Sequence, residues 1–224
     1  MKKYLLMLFV LMGVCAMSAE VKTKKVMVAL GDSITFGHCG GTVLQEETWL
    51  KVLSVLLDGK YEAINAGVNG NSAREAMARY EKDVLSHHPD LILLEFGGNN
   101  NDPYQKQRNV EDAEFQRHLE DFKARLPKGC HVVMITFPPI IDEIHAWRNA
   151  PAFKGKSIDK SLDSQRELVR KFAAENGYPL LDLYKLIYDR RHEYIFPDGV
   201  HLNPKGQRVL AEALCKLIQA QNWD

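Results

Sequence analysis

The 224-residue chain carries no excess of charge of either sign: 29 Lys and Arg face 29 Asp and Glu. With no basic run and no interleaving of aromatic and basic residues, it lacks the footprint of a nucleic-acid binder. Cysteine is scarce. Apart from Cys15 near the N-terminus, Cys39, Cys130 and Cys215 form no CxxC spacing, so neither a disulfide framework nor a zinc site is implied. They read as free or buried thiols, with room for one disulfide in an oxidising compartment. No GxGxxG or Walker A pattern follows the first strand-like run, which argues against a nucleotide or flavin binder. His87 and His88 precede Pro89 at a helix end with no second ligand pair in view, and no metal or cofactor is expected. No repeat, low-complexity tract or linker interrupts the chain, so residues 20–224 read as one domain.

Long apolar runs are also missing, with one exception. "MKKYLLMLFVLMGVCAMSAE" places two lysines before an uncharged apolar stretch from Tyr4 to Met17, then small residues. That is the layout of a secretory signal peptide, and it is short for a membrane span of ~20 residues. Ala16 and Ser18 suit a cut before Ala19, whereas a cut before Glu20 puts Met17 in a small-residue position; residues 1–19 are taken as the signal. Its removal takes Lys2 and Lys3 and leaves 27 basic against 29 acidic residues. Lipid attachment at Cys15 is an alternative, for which Val14 is a poor preceding residue. The expected location is periplasmic or secreted, with no stable membrane span.

From Lys24 onward two hydrophobic periods alternate. "KVMVAL" (25–30), "YEAINAG" (61–67), "DLILLEF" (90–96), "HVVMITF" (131–137) and "PLLDL" (179–183) read as strands, several of them covered on both faces. Between them lie helical patterns. "WLKVLSVLL" (49–57) is amphipathic, Ser72 and Glu75 make a capping-box pair, and Phe115, Leu119, Phe122 and Leu126 recur at helical spacing. Residues 160–175 and "YKLIYDRR" (184–191) read as helical, and the last helix starts with Asn203 as N-cap and Pro204 at its first position. Five strands separated by helices predict a parallel sheet with helices on both faces. Residues 138–158 are irregular and read either as a surface excursion or as a substrate loop, with Trp147 and Phe153 as candidate substrate contacts.

In such sheets functional groups gather beyond the carboxyl ends of the strands. Four loops belong there: "GDS" (31–33), "NAGVNGNS" (65–72), "GGNNND" (97–102) and "FPDGVHLN" (196–203). Each alone passes for an ordinary turn. Together they hold every part that acyl transfer needs. Ser33 supplies a hydroxyl, His201 an imidazole base, and Asp198, three residues earlier, a carboxylate to fix its tautomer. The N–H groups of Ser33 and Gly70 and the side-chain amide of Asn99 can serve as an oxyanion hole. Gly70 would let backbone approach substrate closely. His38 and Cys39 lie close to Ser33, but no third group orients them as a Cys–His pair. Trp49 has the spacing of a core residue.

"GDSITFG", the Gly70 loop, "GGNN" and "DGVH" resemble, in order, the four signature blocks of the SGNH (GDSL) hydrolase superfamily of esterases and lipases. The resemblance implies a flavodoxin-like three-layer α/β/α sandwich and metal-free ester hydrolysis through an acyl-enzyme. It maps the nucleophile to Ser33, the oxyanion glycine and asparagine to Gly70 and Asn99, and the Asp-x-x-His pair to Asp198 and His201. One position departs: Asn100 stands where the family usually has Asp, which puts in question the bonding that steadies this loop. The exported address and the lack of a lipid-docking apolar run point to short acyl groups, acetyl on a carbohydrate. The alternatives are a lysophospholipase or thioesterase acting on longer chains, and a non-catalytic binding module on the same fold.

Overall fold

A computed structural model describes residues 24–40 and 47–223. The proposed signal peptide and Cys15 lie outside the described residues. Five strands, β1 (Lys25–Gly31), β2 (Tyr61–Gly67), β3 (Leu91–Phe96), β4 (His131–Thr136) and β5 (Leu180–Leu181), form one sheet in the order β2-β1-β3-β4-β5. All neighbours run parallel; Val28 stands opposite both Ile64 and Ile92, and Leu91 opposite His131.

The alternation of side chains across each strand sorts the core into two layers. Met27, Ala29, Leu91, Leu93, Val133 and Ile135 face α2 (Trp49–Leu56) and α8 (Pro204–Gln219). Val28, Leu30, Ile92, Leu94, Val132 and Met134 face α3 (Ala73–Asp83), α4 (Asp112–Ala124) and α5 (Asp163–Asn176). Both faces of the central strands are therefore dry, as their unbroken apolar runs required. The chain leaves β1 outward to β2, then crosses back to β3 on the other side of β1. This reversal opens a crevice at the carboxyl ends of β1 and β3.

The helix starts follow their caps. Ser72 accepts from the Glu75 N–H while Glu75 accepts from the Ser72 N–H at 2.8 Å, and Asn203 accepts from the Gly206 N–H at 3.0 Å. Three elements differ from the sequence reading. The last strand shrinks from residues 179–183 to two, because Asp182 turns out of the sheet to cap α6 (Leu183–Ile187), accepting from the Lys185 N–H. The helical run after it breaks at a 3-10 turn, Tyr188–Arg190, before α7 (Arg191–Tyr194). Residues 160–162 form a 3-10 turn ahead of α5.

The irregular 138–158 segment is neither a bare excursion nor a separate flap. It buries Ile140, Ile141, Ala150, Phe153 and Ile158 in the layer that contains α2 and α8. Arg166 of α5, fully buried, holds it in place. Its guanidinium donates to the carbonyls of Phe137, Pro138 and Asp159 and pairs with the Asp159 carboxylate at 2.7 Å. Cys39, Cys130 and Cys215 are all free thiols.

Candidate active site

β1 ends at Gly31, and α1 (Ser33–Phe36), a single helical turn, begins two residues later. Asp32 caps this turn, its Oδ1 accepting from the Ile34 N–H at 2.9 Å. Ser33 therefore occupies the first helical position, whose N–H has no intrahelical partner. Its hydroxyl meets His201 Nε2 at 2.9 Å. On the far side of the imidazole, Nδ1 lies 2.8 Å from Asp198 Oδ2. The other carboxylate oxygen accepts the N–H groups of Val200 and His201, each at 3.0 Å.

Burial pushes the Asp198 carboxyl up, but the bonds from His201 and the two N–H groups outweigh it and hold the acid below its usual range. An ionised Asp198 fixes the imidazole with its proton on Nδ1, leaving Nε2 free to take a proton from the hydroxyl. The residues that the sequence brought forward from positions 33, 198 and 201 thus stand in one hydrogen-bonded line.

Asn99 approaches from the loop after β3. Its Nδ2 donates to Asp32 Oδ2 at 3.1 Å and to the Asn71 carbonyl at 3.2 Å. Gly70 sits in the turn from Val68 to Asn71 with φ +77°, the third position of a type II turn, where an L side chain is strained. A Cβ there would come 2.8 Å from the tip of Arg108, a flexible side chain that can give. Backbone conformation, more than room for substrate, is what asks for glycine at this position.

Asn100 answers the question its identity raised. The side chain is fully buried; Oδ1 accepts from the Ala73 N–H at 3.0 Å and Nδ2 donates to Gln165 Oε1 at 2.7 Å. Gln165 in turn donates to the Val110 carbonyl at 2.8 Å. The relay starts at a backbone donor and ends at a backbone acceptor, so two neutral amides satisfy it and no carboxylate is needed.

Beneath the site lie groups that the sequence reading passed over. Glu95 of β3 is buried beside Asp32; its Oε2 accepts from Thr35 Oγ1 at 3.1 Å, while Oε1 has no hydrogen-bond partner. Burial above all, then the Asp32 charge, pushes Glu95 well above the usual carboxyl range. Burial also lifts Asp32, against the opposing pull of the Ile34 N–H, His201, Glu95 and Asn99. Two carboxyls buried together cannot both ionise cheaply, and burial favours the neutral form of each. Arg79 braces the strand ends, donating to the carbonyls of Gly31 and Ala66 and to Asn71 Oδ1.

The Ser33 hydroxyl opens into a cavity of about 240 Å³ lined also by Gly98, Asn99, Phe137, Ile140, His145, Ala146, Trp147, Asp198, Val200 and His201. Of the two aromatic candidates, Trp147 is in this wall. Phe153 is not: it is buried behind Trp147, rings parallel at 6.1 Å, and shapes the cavity only through its neighbour. His38 lies ring to ring with His201 at 4.4 Å. Among the described residues no group of three metal-ligating side chains is placed to hold an ion, and no helix is long and apolar enough to cross a membrane.

A hydroxyl, an imidazole and a carboxylate in line at the carboxyl edge of a parallel sheet form the geometry of a serine hydrolase. Residues 29–209 match the model of the GDSL-like lipase/acylhydrolase family, and the chain belongs to that family of ester hydrolases. It is 26% identical to the uncharacterized lipoprotein YqeF of Bacillus subtilis, over 95% of this chain and 96% of that one. With thioesterase 1/protease 1/lysophospholipase L1 of Escherichia coli K12 it shares 23% identity, over 86% and 83% of the two chains. The crystal structure of an acetylxylan esterase from Geobacillus stearothermophilus superposes with a TM-score of 0.68 over 87% of this chain and 94% of that one. At 21% identity this likeness speaks for the fold alone.

Proposed function

We propose that this esterase hydrolyses short-chain esters, acetyl groups carried on carbohydrate, through an acyl-enzyme on Ser33. The hydroxyl proton passes to His201 Nε2 as Oγ attacks the ester carbonyl, and Asp198 stabilises the imidazolium. The N–H groups of Ser33 and Gly70 and the Asn99 amide receive the oxyanion. Asn99 keeps its bond to Asp32 and exchanges the longer one, to the Asn71 carbonyl, for the developing charge. His201 then returns the proton to the leaving alcohol, and a water molecule, activated by the same imidazole, releases the acid.

The observation that carries the short-acyl reading is the size of the cavity at Ser33. About 240 Å³ is below the ~300–1,000 Å³ of pockets that enclose drug-sized ligands. Trp147 lines it, and an indole is a flat apolar surface of the kind sugar rings stack on. The names of the relatives point both ways, to acetylxylan and to lysophospholipid or thioester substrates, and the cavity favours the former. The N-terminal sequence supports an exported location.

An acyl-length series of p-nitrophenyl esters tests this. The rate maximum is expected at acetyl; a maximum at eight carbons or more overturns the short-acyl reading. A serine-directed phosphonate should label Ser33 in the wild type and leave Ser33→Ala unlabelled.

A further inference from the structure

Four of the polar side chains around the cavity are committed to one another or to the reaction: Ser33, Asn99, Asp198 and His201. His145 is the exception. It lines the same cavity, yet none of its contacts belongs to the line from Asp198 to Ser33. We infer that His145 recognises the alcohol half of the ester, its Nε2–H donating to a hydroxyl or ring oxygen of a sugar whose face rests on Trp147. The inference rests on the carbohydrate-ester reading above and assigns the residue that selects for it.

The geometry fixes both which proton the ring carries and where the ring sits. Nδ1 accepts the Trp147 N–H at 3.1 Å, so in the neutral ring the proton is on Nε2. The imidazole and indole planes are nearly perpendicular, at 81° with centroids 5.0 Å apart, and the Phe153 ring runs parallel to the indole at 6.1 Å. Backbone bonds tie this corner to the loop that carries Asp198 and His201. The His145 N–H donates to the Ile141 carbonyl and the Ile141 N–H to the Gly199 carbonyl at 2.8 Å.

Gly199 itself, at φ +85°, comes so close that a Cβ would lie 2.9 Å from the His145 backbone nitrogen. His145 is thus held against the loop that carries Asp198 and His201. Burial holds the ring down to about 4, so at neutral pH it offers a neutral N–H rather than a cation. Such a donor, rigid and beside an aromatic face, pairs with a hydroxylated ring and leaves a plain alkyl or aryl alcohol with nothing to accept its hydrogen bond. An unpaired buried donor is costly, and that cost is the source of the selectivity.

The test compares kcat/KM for an acetylated xylo-oligosaccharide with that for p-nitrophenyl acetate, in wild type, His145→Phe and His145→Gln. His145→Phe removes the Nε2–H donor together with the Nδ1 acceptor of the Trp147 backbone N–H; His145→Gln restores an amide N–H and an oxygen acceptor and guards against a variant that fails to fold. The expected result is a fall of about tenfold or more in the sugar-to-aryl ratio for His145→Phe, carried by KM, and recovery to within about threefold of wild type in His145→Gln. Equal losses on both substrates, or an unchanged ratio, overturn the inference while leaving the esterase reading intact. A wild-type enzyme that cleaves p-nitrophenyl acetate but not the acetylated sugar overturns the carbohydrate reading and this inference with it.

Discussion

Asn99 Nδ2 lies 3.1 Å from Asp32 Oδ2, so the amide proposed to receive the oxyanion is held by the residue next to the proposed nucleophile. Asp32 also accepts from the Ile34 N–H at 2.9 Å and so caps the helical turn that presents Ser33. A single buried carboxylate thus sets the distance between the attacking oxygen and one of the donors that stabilises its product. Removing the donor should be felt in the transition state far more than in substrate binding. Asn99→Ala is expected to lower kcat by about 10²–10³-fold with KM little changed. Steady-state kinetics on p-nitrophenyl acetate check this; a loss carried wholly by KM would assign Asn99 to substrate binding instead.

Asp32 and Glu95 are two carboxyls buried together beneath Ser33. Burial raises both acids, Asp32 to about 6 from the ordinary 3.8 and Glu95 well above the usual carboxyl range. Between these values the unfolded chain has released protons that the native protein still holds, so stability is lost as pH rises from about 4 through 6. Glu95→Gln keeps the shape and an N–H donor but removes one of the two titrating groups. Measured by urea midpoints, the variant should gain on the wild type by at least ~1 kcal/mol between pH 4.5 and pH 7. The comparison must be a difference between proteins. His145, held down to about 4 by burial, contributes the opposite slope over the same interval and cancels only when present in both. Parallel curves would mean that burial does not hold these acids protonated.

Much of this architecture was legible because it rests on periodicity and on caps. The doubly covered strands from Lys25, Leu91 and His131 and the starts of α3 and α8 follow from apolar runs and from Ser72, Glu75, Asn203 and Pro204. The meeting of the four loops was legible too, since a parallel sheet delivers all of them to one edge. What sequence could not supply was orientation. Trp147 and Phe153 are both aromatic residues in one irregular segment, and only tertiary packing puts the first in the wall and the second behind it. Glu95 does leave a signal, a charge inside the otherwise apolar run 91–96, which an apolar strand pattern alone does not interpret. Asp32 sits in a loop that alone passes for an ordinary turn, and His145 has no periodic neighbour to mark it. β5 is two residues rather than five because Asp182, the polar residue inside "PLLDL", caps α6 and takes Leu183 into its first turn.

The last prediction tests whether the cavity wall depends on the ion pair behind it. Arg166 and Asp159 are both buried, 2.7 Å apart, and the Asp159 carboxylate also accepts the Ile140 N–H at 2.9 Å. Phe137, whose carbonyl Arg166 holds, and Ile140 both line the cavity beside Ser33. Arg166→Met removes the cation and leaves a buried carboxylate without its charge partner, a change that typically costs about 3–5 kcal/mol. Asp159→Asn in the same background removes the stranded charge while keeping the carbonyl oxygen that accepts from Ile140. The double variant should therefore be more stable than Arg166→Met alone, by on the order of 1–3 kcal/mol in denaturant midpoints. If the wall is held by this pair, Arg166→Met should also lose kcat/KM on p-nitrophenyl acetate at temperatures where it is still folded, and the double variant should recover part of it. Additive losses from the two substitutions would show that the pair is not coupled and that packing around Ile140 and Ile158 holds the wall on its own.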